Sequence, residues 1–590
     1  MKAISGLDAT FLYTETPTSP MHVGSVAIIE GSLEFDTFRK IILSRLHLIP
    51  TLRKRLVQVP FSIDYPYWVD DPNFDPDMHL RRVALPQPGG WRELRDVASH
   101  IFSEALDRSR PLWSFTFVEG LENIPQVPKG SVAIVSKIHH VAIDGMAGAG
   151  ILSLLFDLSP KAKEIPEPQP FKAEPLPDEF SLFINSALSF ASKPLKFPKL
   201  ISDTLTATIK AGFLTRVQKI ELPTAPFTAP PSPLNGIISA RRKWNTAILS
   251  LERIKALKTI METTLNDIML AICAGALRRY LLEKGKLPVK PLVAMVPIST
   301  RGAFEKQEPG NQISSMLIQL ATNIEDPIER LEVIYENTIR GKTYQGAIGA
   351  KTLADMAEAV PFGIANQAAR IYSRYKISEM HNPVFNVTIT NVPGPQVPLY
   401  INGHKLISVM GMAPIIDGMG LIITIFSYNG LVTISPTSDA KTMPDIDTFT
   451  RYIRESANEL EAAVHQYAES RKNQDEENNE SLESDKYFEK LKNYFKENTE
   501  KLKEHKGVFQ FQVQGAKNSA WKIDLNKNPA SIRKGNVNQA DAIFIIQDQY
   551  LQRIAQGELD LSTALIQGRL RIEGDQEKAQ HLGKLLSMDF

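Results

Sequence analysis

The residues whose types and spacing could do chemistry lie in one short stretch, His139-His140-Val141-Ala142-Ile143-Asp144-Gly145. Histidine is the side chain whose unperturbed titration falls near neutral pH, so it can take a proton from a hydroxyl and give it back. An apolar run at 132–135 precedes the pair and reads as a buried strand. Side chains alternate along a strand, so the two rings are expected to face opposite ways, with only one facing a given cavity. Small and apolar residues at 146–156 then read as a helix. Asp144 can cap that helix, and Gly145 lets another group approach the backbone closely.

Three chemistries suit these residue types. One is a general base acting on a hydroxyl. The second is a metal site, but no other paired-histidine cluster supplies the missing ligands, and the two rings are expected to face apart. The third is structural: a histidine satisfied in the core beside a capping aspartate. A lone histidine is explained well by that third reading. Two of them with Asp-Gly at a fixed offset and a small-residue helix behind are explained better by the first.

The totals bound the rest. With 590 residues the chain exceeds one core, and length alone suggests about three or four domains. The composition, 43% hydrophobic and 23% charged, is that of a soluble globular protein. With 67 basic and 66 acidic residues the net charge is +1, which gives no electrostatic footprint for nucleic acid. The one cysteine, Cys273, supports neither a disulfide framework nor a thiolate metal site, so a reducing cytoplasm is expected. The N-terminus lacks the apolar core of a signal peptide, and no apolar run reaches the ~18–20 residues of a membrane span.

The elements that must position the histidines divide as follows. Residues 1–160 mix strands (23–29, 113–118, 131–138) with helices (35–48, 91–106). Residues 161–235 form a proline-rich crossover. Its middle is basic and apolar: from 181 to 219 Asp203 is the sole acidic residue, among Lys193, Lys196, Lys199, Lys210, Arg216 and Lys219. Such a segment fits either amphipathic helices packed on the body or a surface that lies on anionic lipid. Residues 236–468 form a second α/β half. Its clearest helix spans 266–282, stopped at Gly285, and strands are expected at 293–296, 316–320, 384–390 and 421–428 before a last helix at 446–467. Residues 469–485 read as an acidic solvated linker, and 486–590 as a separate α+β domain.

The histidine stretch matches HHxxxDG, the motif of the CoA-dependent acyltransferase superfamily. Residues 1–468 more closely resemble the bacterial wax ester synthase/diacylglycerol acyltransferase family. The matching runs are Leu7-Asp8-Ala9-Thr10-Phe11, Pro20-Met21-His22-Val23-Gly24, Pro111-Leu112-Trp113, Asn266-Asp267, Val296-Pro297-Ile298-Ser299 with Arg301, Gly310-Asn311-Gln312, Asn391-Val392-Pro393-Gly394-Pro395 and Asp417-Gly418-Met419-Gly420-Leu421. The resemblance implies an α/β (α+β) fold of two chloramphenicol-acetyltransferase-like halves around a central tunnel. It implies an O-acyltransferase moving a long acyl chain from acyl-CoA, as co-substrate and without a further cofactor or metal, to a fatty alcohol or diacylglycerol. His140 is then the base, with His139, Asp144 and Gly145 shaping its turn. Asn266 is a donor for the oxyanion or else a helix N-cap, and the CoA-contacting residues stay unassigned. A condensation-type acyltransferase shares the motif, and a non-catalytic lipid-binding protein is the reading from another class.

The last domain resembles a sterol carrier protein type 2 domain through Ala520-Trp521-Lys522-Ile523-Asp524-Leu525 and Gln567-Gly568-Arg569-Leu570-Arg571-Ile572-Glu573-Gly574-Asp575, among other runs. That resemblance implies an apolar lipid tunnel and a role in delivering acyl chains or removing ester. Cytoplasmic residence, peripheral on the membrane or on lipid inclusions, follows as the expected location.

Overall fold

The computed structural model describes residues 2–60, 64–142, 155–161, 164–167, 171–175, 224, 227–299, 313–348, 380–477, 483–498, 506–515, 519–537, 539–556, 558–559, 561–566, 568–575, 577–579 and 582. Asp144, Gly145, the expected 146–156 helix up to residue 154, the basic segment 181–219, Arg301 and Gly310-Asn311-Gln312 lie outside the described residues. The chain divides into two compact units, Met1–Val464 and His465–Phe590.

In the first unit the histidines belong to a sheet that, among the described residues, has six strands. Their order is Tyr400–Ile401, His404–Met412, His22–Ile29, Ser131–His139, Trp113–Leu121 and Leu80–Ala84. All nine residues of Ser131–His139 are buried. The reason is that the sheet is covered on both faces, which also explains the continuous apolar run in its sequence. Val132, Ile134 and Ile138 pack with Phe38, Phe115 and Phe117. Ala133 and Val135 pack on the other face with Leu94, Ala98 and Phe102. Three of those last residues come from the helix Trp91–Ser103, whose buried positions Leu94, Ala98, Ile101 and Phe102 fall at helical spacing.

The register sets His22 directly opposite His139. Close approach explains Gly24 on the neighbouring strand: a Cβ there would meet the Ser136 carbonyl oxygen at 2.3 Å.

The first 160 residues do not complete this sheet by themselves. His404–Met412, far along the chain and absent from the sequence reading, pairs antiparallel with His22–Ile29, with Met412 opposite Gly24 and Leu406 opposite Ile29. Side chains tie the same regions together. Trp91 Nε1 donates to Asn245 Oδ1 at 2.9 Å. The buried Arg242 guanidinium donates to the carbonyls of Ser239 and Thr18.

The second sheet has the order Ile313–Gln319, Val293–Ser299, Val387–Pro393, Leu421–Tyr428, Leu431–Asp439 and Arg242–Trp244, with Ala247–Ser250 also pairing on Leu431–Asp439. The helix expected at 266–282 is present as Leu265–Glu283. It is apolar nearly all round because it is the core helix: Ile268, Ile272, Leu277 and Leu281 are fully buried among the sheet and its neighbouring helices. Cys273 lies within it, wholly buried, and burial pushes its thiol up to about 12, which leaves it inert. Among the described residues no single helix is long and apolar enough to cross a membrane.

The acidic stretch departs from expectation. The helix expected to end at 467 runs Ile446–Glu477, and another begins at Glu483. Its Glu, Arg, Lys and Gln residues are good helix formers, so a solvated composition does not prevent helix here.

In the second unit a five-stranded sheet has the order Ser531–Lys534, Ser519–Asp524, Val508–Gln514, Ala542–Gln547 and Leu570–Gly574 among the described residues. Aromatic rings dominate its core. Phe488 of the helix Glu483–Glu497 stacks on Trp521 at 4.7 Å, and Phe511 stacks on Phe544 at 4.6 Å.

Candidate active site

His139 is the last residue of its strand, and His140 opens a short 3-10 turn, His140–Ala142. Strand alternation therefore stops between them. The two rings do not simply face apart, as the pattern suggested: both lie against the helix Gly6–Thr14 and its C-cap, Glu15. The His140 ring stacks on Phe11 with centroids 3.7 Å apart and planes 10° apart. His139 Nε2 lies 3.5 Å from Glu15 Oε1. Phe11 and Glu15 are four residues apart, so one face of one helix serves both histidines. Ser5 starts that helix by accepting the Asp8 N–H at 3.1 Å.

The backbone of the pair is pinned as well. His139 N–H donates to the Leu112 carbonyl at 2.9 Å, and His140 N–H to the Met21 carbonyl at 2.8 Å. Leu112 and Met21 belong to Pro111-Leu112-Trp113 and Pro20-Met21-His22-Val23-Gly24, so two runs far apart in sequence share the work of holding this turn. Trp113 is itself fixed, its Nε1 donating to the Leu52 carbonyl at 2.7 Å.

The His139 ring has a defined tautomer. Its Nδ1 accepts the Val141 N–H at 3.1 Å, which leaves the proton of the neutral ring on Nε2, facing Glu15. His140 differs. Its Nδ1 is buried and has no hydrogen-bond partner among the described residues. Burial pushes the ring down to about 4, with His139 adding to that and the backbone carbonyl of His140 itself opposing it. His140 is therefore neutral at pH 7 and free to accept a proton.

The surroundings are dense in titratable groups. His22 is fully buried, with Nε2 against the Phe102 carbonyl at 2.8 Å, and burial pushes it down to about 3. Lys137 is buried too, its Nζ donating to the carbonyls of Ile101 at 2.9 Å and Glu104 at 2.7 Å. An ammonium there meets carbonyls at the C-terminal end of the helix Trp91–Ser103, which suits its charge. Burial still draws it down to about 8.

Asn266 sits in the first turn of Leu265–Glu283. It is not the cap: Thr264 is, accepting the Asp267 N–H while Asp267 Oδ2 accepts the Thr264 N–H at 2.9 Å. Asp267, fully buried, also accepts from Thr338 Oγ1 at 2.7 Å. Asn391 Nδ2 approaches Asn266 Oδ1 at 3.5 Å, which joins two runs singled out in the sequence. With its oxygen turned that way, the Asn266 amide hydrogens have no partner among the described residues. No hydrogen bond or ring contact joins Asn266 to either histidine there.

Asp417-Gly418 is a turn. Asp417 Oδ1 accepts the Ile238 N–H at 3.1 Å, and Gly418 adopts a positive φ of 82°. Phe11, Glu15 and Arg108 were not picked out by residue-type reasoning. Arg108 Nε donates to Glu15 Oε2 at 2.5 Å, and its Nη2 to the Leu12 carbonyl at 2.9 Å. The available signal was the four-residue spacing of Phe11 and Glu15 beside a family-matching run; nothing in the local sequence pairs Glu15 with His139.

Comparisons with known proteins bear on the whole chain. Residues 4–269 match the family described as wax ester synthase/diacylglycerol acyltransferase catalytic domain. Residues 309–461 match the WS/DGAT C-terminal domain, and residues 488–587 the SCP-2 sterol transfer family. A relative in Mycobacterium tuberculosis (strain CDC 1551 / Oshkosh), named "Putative diacyglycerol O-acyltransferase MT1809", is 35% identical over 452 residues, 76% of this chain and 87% of its own. Another in strain ATCC 25618 / H37Rv, "Putative diacyglycerol O-acyltransferase Rv0221", is 34% identical over 75% of this chain and 92% of its own. The solved wax ester synthase/diacylglycerol acyltransferase from Marinobacter aquaeolei VT8 is 26% identical, covers 79% of this chain and 100% of its own, and superposes with a TM-score of 0.55. By these matches the chain belongs to the wax ester synthase/diacylglycerol acyltransferase family, and it is an acyltransferase with an SCP-2 domain at its C-terminal end.

Proposed function

We propose that the protein moves a long acyl chain from acyl-CoA onto the hydroxyl of a fatty alcohol, a diacylglycerol or both, with His140 as general base. The observation that carries this reading is the state of His140: half-buried, stacked on Phe11, pinned through its backbone and held at about 4, hence neutral at working pH. The ring takes the proton of the acceptor hydroxyl as its oxygen attacks the thioester carbonyl. When the tetrahedral intermediate collapses, the C–S bond breaks and His140 returns the proton to the departing CoA sulfur. No acyl-enzyme forms. Asn266 supplies an amide hydrogen to the oxyanion, and Asp144 and Gly145 shape the turn behind the base.

The SCP-2 domain delivers acyl chains to this chemistry or removes the ester. The segment 181–219, basic and apolar with Asp203 as its sole acid, docks the enzyme peripherally on an anionic lipid surface in the cytoplasm. An apolar pocket separates acceptors by only about 1–3 kcal/mol per methylene, so the acceptor must be measured. The test is release of CoA thiol with hexadecanol against diacylglycerol as acceptor, for the parent and for His140→Ala. Full ester formation by His140→Ala would remove the reading.

A further inference from the structure

We propose that Glu15 is a positioning residue for His140, acting through Met21 on one side and His139 on the other. The inference rests on His140 being the base. One carboxylate oxygen is linked to both flanks of that residue, through Met21 and through the His139 ring. Glu15 Oε1 accepts the Met21 N–H at 3.1 Å, and the Met21 carbonyl accepts the His140 N–H at 2.8 Å. The same Oε1 lies 3.5 Å from His139 Nε2, while His139 Nδ1 accepts the N–H of Val141, the residue after His140. The two routes meet at the 3-10 turn from opposite ends.

The carboxylate is itself fixed. Its other oxygen takes the Arg108 Nε–H at 2.5 Å, and Arg108 is anchored in turn to the Leu12 carbonyl. Glu15 cannot rotate toward solvent without giving up all of these partners, and its side chain is only 9% exposed. Phe11, one turn earlier, lies flat on the His140 ring, so the same helix sets both the plane of the base and the position of its backbone.

Glu15 does not compete for the proton. Burial acts to raise its carboxyl, but the His139 ring, the Arg108 guanidinium and the Met21 amide outweigh that and hold it at about 2. It stays ionised wherever the enzyme works.

The test uses the full chain and compares Glu15→Gln and Glu15→Ala. Glutamine keeps an oxygen for the Met21 N–H but loses the charge toward His139 and Arg108. A displacement of about 1 Å at the base is enough to cost about 100-fold in rate, so kcat is expected to fall about 10-fold in Glu15→Gln and about 100-fold in Glu15→Ala, with KM for acyl-CoA within about threefold. A structural role alone would lower the melting temperature without that split. Should Glu15→Ala not fold, Glu15→Gln carries the test by itself. Values of kcat within about twofold of the parent, or a raised KM at unchanged kcat, overturn the inference. His140→Ala in the same assay separates the two claims. If it is inactive while the Glu15 variants are not, only the positioning role falls; if it keeps full activity, both fall.

Discussion

The two regions that supply the proposed chemistry treat their polar groups differently. At the end of Ser131–His139 and on the strand beside it, buried polar atoms are left without hydrogen bonds among the described residues: His140 Nδ1 and His22 Nδ1. At the start of Leu265–Glu283, Asp267 is just as buried, yet its two oxygens accept from Thr264 and Thr338. A buried polar atom left unmade costs about 1–3 kcal/mol, so the first arrangement is retained against its cost to stability, whereas the second supports the fold. Groups that do chemistry must keep bonding capacity in hand for the substrate. Groups that hold an element in place must not. In the second region the division falls between neighbours, with Asn266 keeping its amide hydrogens and Asp267 committing both oxygens.

The comparison can be broken by mutation. His140→Ala should lower kcat about 1,000-fold, the middle of the range for a lost general base, and leave the melting temperature near that of the parent. CoA thiol release and a thermal melt together decide it. Asp267→Ala should do the reverse, lowering stability by about 3 kcal/mol because Thr264 and Thr338 lose a buried acceptor. A urea midpoint equal to the parent's would mean that this carboxylate is not structural.

Asn266→Ala should cost about 100-fold in kcat with little change in stability, since Thr264 makes the cap. If the melt moved as far as for Asp267→Ala, the division between neighbours would be wrong. Thr264→Ala should cost about 1 kcal/mol in the same urea titration, with kcat preserved.

The effect of pH takes its sign from the histidines. Burial holds folded His140 at about 4 and His22 at about 3, against 6.5 for each when exposed. Between those values the unfolded chain binds more protons than the folded one, so stability rises with pH across the window. The contribution is complete above 6.5 and is lost as pH falls below it. Glu15, held at about 2 against 4.5, adds a loss of the same sign below 4.5. The melting temperature should therefore drop on going from pH 7 to pH 4.5, less steeply in His140→Ala. The acid limb of kcat/KM should fall well below 6.5. A melting temperature flat over that interval would contradict the lowered titration of the two histidines.

How much was legible follows from the range of the interactions. The strand at 421–428 was placed to the residue because a long β-branched run has few other solutions. The helix at 266–282 was placed to within a residue because its apolar spacing is sustained for five turns and Gly285 stops it. His404–Met412 was missed because its pattern is weak and its partner, His22–Ile29, lies at the other end of the chain. The extent of Ile446–Glu477 was missed because charge density was taken as a bar to helix.

What the sequence by itself determined was the chemistry on offer: a histidine pair at a strand end, an Asn-Asp pair at a helix start, and ordered runs that mark the family. These are matters of residue type and local period, which the chain carries in its order. Only the tertiary structure decided which groups act on which. It set His140 against Phe11, turned His139 toward Glu15, gave the cap to Thr264 rather than Asn266, and borrowed a strand from the second half to complete the sheet around the motif. Each of these is a contact between segments remote in sequence. Their energies depend on burial and orientation, and no local pattern encodes either.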